Sequence, residues 1–114
     1  MREPNMRSLK FRAWDTVDGV MWLWPAARFF QMQEFEENTA YVFMQYTGLK
    51  DRNGKEIYEG DIVDLGGKNI ARVEWVENGF VLVLPFAVFQ LHSGGKVIGN
   101  IYENPELAPS EEEK

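Results

Sequence analysis

The stretch Ile70-Ala-Arg-Val-Glu-Trp-Val-Glu-Asn-Gly-Phe-Val-Leu-Val-Leu84 decides the fold class. Asn78-Gly79 is a dipeptide that supplies positive φ at both centres of a type I′ turn, and β-formers flank it on either side. A two-residue turn there sets Glu77 opposite Phe80, Trp75 opposite Leu82 and Val73 opposite Leu84. Directly opposed residues share a face, so Val73, Trp75, Phe80, Leu82 and Leu84 make one apolar sheet surface, with Trp75 and Leu82 turned inward. The other face carries Arg72, Glu74, Val76, Val81 and Val83, polar on one strand and apolar on its neighbour. Such a face is either covered, here by Phe11 and Trp14 of the N-terminal segment, or offered to a partner or a second copy. Covering is the preferred reading.

Outward from the hairpin, turn signals continue. Asp18-Gly19 has the same type I′ character, while Gly66-Gly67 and Gly94-Gly95 punctuate less specifically. The intervals between them suit short antiparallel strands, which predicts a meander or small barrel. Helix is scarce: Pro25 to Glu37 is read as one short helix, with Pro25 in its first turn. Asn104-Pro105-Glu106-Leu107 reads as a single turn that tucks Leu107 back onto the body. Residues 1–8 read as a loose lead-in, 9–107 as one β domain, and 108–114 as a solvated acidic tail.

Bulk properties narrow the function classes. A chain of 114 residues fits one domain with a core of its own. An apolar content of 45% with 26% charge excludes wholesale disorder. The absence of cysteine removes disulfides and thiolate sites and suits a reducing cytoplasm. A net charge of −6 disfavours binding to nucleic-acid phosphates. No apolar run approaches the roughly 20 residues of a membrane span, and no secretory leader is read at the start. The cytoplasm is the expected compartment.

Each candidate for chemistry gives way to a plainer account. Asp51-Arg-Asn-Gly-Lys-Glu56 alternates oxygen donors as a calcium loop does, but its glycine stands at the fourth position rather than the sixth, so a tight turn at Asn53-Gly54 explains it. His92, the one histidine, stands beside Ser93-Gly94-Gly95 without any nucleophile elbow and reads as a loop residue. The carboxylate pairs Glu59/Asp61 and Asp61/Asp64 raise the glycosidase pattern. Asp61 between Gly60 and Ile62 is better placed to tie down a strand by accepting backbone N–H groups. Gly48, Gly54 and Gly60 lack phosphate-loop spacing. No catalytic residue, metal or cofactor is expected.

Two surfaces remain as binding candidates. Lys50, Arg52 and Lys55 form a basic patch beside Tyr46 and Tyr58, and aromatics interleaved with cations can stack bases and neutralise phosphates. Asp51, Glu56 and Glu59 offset those charges, so a solvated loop is the preferred reading. The second candidate is the Val76, Val81 and Val83 face.

The run from Met44 through Gln-Tyr-Thr-Gly-Leu-Lys-Asp-Arg-Asn-Gly-Lys-Glu-Ile-Tyr-Glu-Gly-Asp-Ile to Val63 resembles the YopX-like family of bacteriophage and prophage proteins. Lys10-Phe-Arg-Ala-Trp-Asp15 and Val97-Ile-Gly-Asn-Ile-Tyr-Glu-Asn-Pro-Glu-Leu107 agree with it, in order. The resemblance implies a mostly β protein: a small SH3-like barrel preceded by an N-terminal β-rich piece. It implies an intracellular, phage-linked protein in a bacterial host cell, and it does not imply a reaction. A non-enzymatic module for a protein partner is the expected function, with nucleic-acid binding through Lys50, Arg52 and Lys55 as the alternative.

Overall fold

A computed structural model describes residues 10–24 and 40–109. The expected helix over 25–37, the lead-in 1–8 and the tail beyond Pro109 lie outside the described residues. The chain divides into two compact units, 1–46 and 47–114.

In the first unit, β1 (Phe11–Asp15) pairs antiparallel with β2 (Val20–Trp22) and with the first half of β3 (Tyr41–Lys50). The β1–β2 connection is a four-residue loop and not the expected two-residue turn, because Asp15 pairs with Val20. The Asp15 carboxylate organises it, accepting the N–H groups of Val17 and Asp18 at 3.0 Å each. The Asp18 bond first, then the Val17 bond and the Trp22 side chain, hold this carboxyl below its usual range against the opposing effect of burial. Gly19 alone takes the left-handed conformation, at φ +66°.

The second unit begins within β3 and adds β4 (Glu56–Tyr58), β5 (Asp61–Asp64), β6 (Ile70–Val76), β7 (Gly79–Val83), β8 (Val88–Gln90) and β9 (Lys96–Asn100). β4 lies beside β3, and the other five form an antiparallel sheet ordered β8-β7-β6-β5-β9. The protein is mostly β, as expected, and this sheet is compatible with the small barrel that the resemblance implies. Its core is Ile57, Val63, Ala71, Val73, Leu82, Leu84 and Val97, all at most 8% exposed. Pro105–Leu107 forms the expected turn, as a short 3-10 helix, but Leu107 stays 38% exposed.

The decisive hairpin forms with a different turn. Val73 faces Leu82, Trp75 faces Phe80 and Val76 faces Gly79, so the turn residues are Glu77 and Asn78, with Glu77 at φ +30°. The slide relative to the expected pairing is two residues, which preserves the parity of every side chain. Its physical reason is cross-strand packing: the observed register puts Trp75 edge-on to Phe80, ring centres 4.8 Å apart. Leu82 is fully buried as expected, whereas Trp75 is 52% exposed and not part of the core.

Candidate interaction surfaces

The basic loop is built by a carboxylate. Asp51 is buried; its Oδ1 accepts the N–H groups of Asn53 and Lys55 at 2.8 and 2.9 Å, and its Oδ2 accepts that of Val97 at 2.8 Å. Burial pushes this carboxyl up, but the three N–H bonds, from Val97, Lys55 and Asn53, together with the Lys55 charge, leave it below its usual range. These oxygens, proposed by the calcium reading as ligands, hold the turn and the start of β9. Arg52 N–H donates to Gly95 O at 3.0 Å, which docks the loop against the start of β9. Lys96 thereby joins Lys50, Arg52 and Lys55, all exposed. No local pattern pointed to this fourth cation, because long-range bonds, Arg52 to Gly95 and Val97 to Asp51, bring it there.

The two tyrosines read beside this loop are not presented by it. Tyr46 and Tyr58 are each only 8% exposed. Tyr46 has Lys10 over its ring, 5.1 Å from the centre, and Tyr58 sits between Ile57 and the Asp61 turn, where its N–H donates to Asp61 Oδ2 at 2.7 Å. Large rings next to a strand boundary fill the nearest apolar space, which composition around the loop did not reveal. Asp61 does what its place after Gly60 predicted. His92 is a loop residue, its Nδ1 accepting the Gly94 N–H at 3.0 Å.

On the second candidate face the structure separates the valines. Val76 is exposed, while Val81 and Val83 are half-buried. Glu74 stands opposite Val81 and Arg72 opposite Val83, and Arg72 and Glu74 pair with each other, so ions flank these two valines. Val76 and Val81 share a shallow depression with Gln90. The larger apolar exposure lies further along the sheet, at Phe86 (73%), Val88 (60%) and Phe89 (51%). From Asn78 to Gly95 no Asp, Glu, Lys or Arg occurs, so β7, β8 and their connection carry no formal charge of their own, while Lys68 lines a depression with Phe86 and Glu77 one with Gln90. A charge count along the chain would have found this stretch.

Two antiparallel sheets, buried carboxylates and amides that cap turns, and a β7–β8 segment without charge of its own define a small all-β module. The YopX protein family model matches residues 25–108, and the chain belongs to that family. Among solved structures it is similar to protein EF1440 from Enterococcus faecalis, at 30% identity and a TM-score of 0.62, over 87% of this chain and 96% of that one. A comparison with curated proteins gives no match.

Proposed function

We propose that this chain is a non-enzymatic protein-interaction module of a phage- or prophage-encoded protein, working in the bacterial cytoplasm and binding its partner through the apolar β8 end of the five-stranded sheet. The observation that carries the reading is the exposure of Phe86, Val88 and Phe89 in a stretch without charge. The same sheet fills its own core with Val73, Leu82 and Leu84, so apolar residues are not short of burial sites elsewhere. Large apolar side chains left exposed at one sheet edge, outside a filled core, support a binding patch there. A photo-reactive phenylalanine analogue at Phe89 and another at Lys50, in host cells carrying the phage, test it. A partner protein cross-linked from Phe89 and not from Lys50 supports the reading; cross-linking from Lys50 alone sinks it.

The alternative is nucleic-acid binding by the basic loop, and the observation in its favour is Lys96 beside Lys50, Arg52 and Lys55. It demands binding that weakens steeply with salt and weakens further in Arg52→Ala and Lys96→Ala.

A further inference from the structure

We propose that the occupant of the β8 edge is a second copy of this chain, joined antiparallel across a two-fold axis with Phe89 facing Phe89 of the other copy. This rests on the reading that the apolar sheet end is a protein-binding surface.

The two edges of the five-stranded sheet are finished differently. At β9, the Val97 N–H is taken by Asp51 and the Asn100 N–H by Asn104 Oδ1 at 3.1 Å, and Lys96 puts a charge on the strand. That edge is closed by the chain itself. At β8, the strand is Val88-Phe89-Gln90, with neither the lysine nor the proline that commonly guards an edge. The Leu84 N–H donates to Ala87 O and the Leu91 N–H to Phe80 O. In an antiparallel ladder the bonded pairs alternate, so Phe89 bonds towards Leu82 of β7 while Val88 and Gln90 turn their N–H and C=O groups outward. Among the described residues, nothing pairs with that side.

Those four groups are self-complementary. Placing Val88 opposite Gln90 of a second copy, and Gln90 opposite its Val88, satisfies all of them. Phe89 then meets its counterpart at the central unbonded pair, where side chains approach most closely. A chain with a net charge of −6 repels its copies on balance, and Val88-Phe89-Gln90 adds no charge of its own to oppose approach. Phe89, on the face of Leu82, and Val88, on the face of Val83, offer together with Phe86 apolar surface of at most about 400 Å² per copy. The pair would bury at most about 800 Å², below the roughly 1,200–2,000 Å² of stable complexes. The structure therefore assigns a weak, concentration-dependent dimer.

Sedimentation of the full chain from about 10 µM to about 1 mM reads this directly. The expected result is a mass rising from monomer towards dimer, with Val88 and Gln90 amides gaining exchange protection at high concentration. Val88→Pro removes an outward N–H that β7 does not use, a substitution edges tolerate. It should weaken association at least tenfold and leave the circular dichroism spectrum unchanged. Phe89→Lys should do the same, which keeps the test open if the proline variant unfolds. A mass that stays monomeric throughout, or association that both variants retain, overturns the dimer. A foreign protein cross-linked at Phe89 without self-association overturns the dimer and spares the interaction reading. Self-association with no foreign partner confirms the dimer and removes the need for one.

Discussion

Replacing Asp51 by alanine isolates the contribution of one buried carboxylate to the whole second unit. Three N–H groups lose their acceptor. Asn53 and Lys55 are exposed, so water replaces the carboxylate there, at about 0.5 kcal/mol each, but the Val97 N–H is buried and left unpaired, at about 1–3 kcal/mol. The expected total is about 2–4 kcal/mol. An amide in place of the carboxylate would restore one oxygen but turn an NH2 towards another N–H, so Asp51→Asn should recover less than half of the loss. Urea unfolding at neutral pH gives the measurement, as a lowered midpoint with unchanged slope. The pH dependence adds a second reading. Because the N–H bonds and Lys55 depress the folded carboxyl below its ordinary 3.8 despite burial, the unfolded chain takes up the proton first as pH falls. The stabilisation is complete well above pH 3.8 and disappears as pH drops through the lower folded value. Wild type and Asp51→Asn should therefore converge in acid. A loss under about 0.5 kcal/mol at neutral pH, or a gap that persists undiminished in acid, refutes this role for Asp51.

Gly95→Ala should cost about 1–3 kcal/mol, because its Cβ would run into Val63 Cγ1 and sit 2.9 Å from Leu65 Cδ2 and 3.1 Å from Asp64 O. Gly94→Ala, which meets only the exposed His92 ring, should be near neutral, and equal effects in thermal unfolding would refute the difference. Trp75→Ala should cost about 1–2 kcal/mol against about 2–5 kcal/mol for Leu82→Ala; a larger loss at Trp75 would mean the ring is buried.

What was legible in the sequence follows from the range of the forces involved. The faces of the central hairpin could be read because side-chain direction alternates with period two, and a slide of two residues changes no face. The turn position could not, since the Asn78-Gly79 preference is worth less than pairing Trp75 with Phe80. Asp61 could be placed at a strand start because its bond to the Tyr58 N–H spans only three residues. Asp51 was half legible: its bonds to Asn53 and Lys55 are local, but Val97 lies 46 residues away, and with it came Lys96. The burial of Tyr46 and Tyr58, and the edge position of β8, depend on which strands become neighbours. No local pattern encodes that.

The recognisable motifs and the candidate surface therefore occupy different parts of the chain for a physical reason. Asp51, Gly60, Asp61, Gly95, Gly99, Asn100 and Asn104 each meet a requirement that few other side chains satisfy. Gly60 holds φ +89°. At Gly99 a Cβ would meet Asn104 Oδ1 at 2.5 Å. Asn100 Oδ1 accepts the N–H groups of Tyr102 and Glu103 at 3.0 and 2.8 Å. Distinctive residues at such positions are consumed in satisfying backbone groups, and an oxygen that already holds two N–H groups has little capacity for a substrate or an ion. Phe86, Val88 and Phe89 answer to no such requirement. Exposed aromatic and branched residues on an edge strand, in place of lysine or threonine, are more than the backbone pairing of the sheet requires. On the reading proposed above, binding is what the exposed Phe86, Val88 and Phe89 at the β8 edge serve.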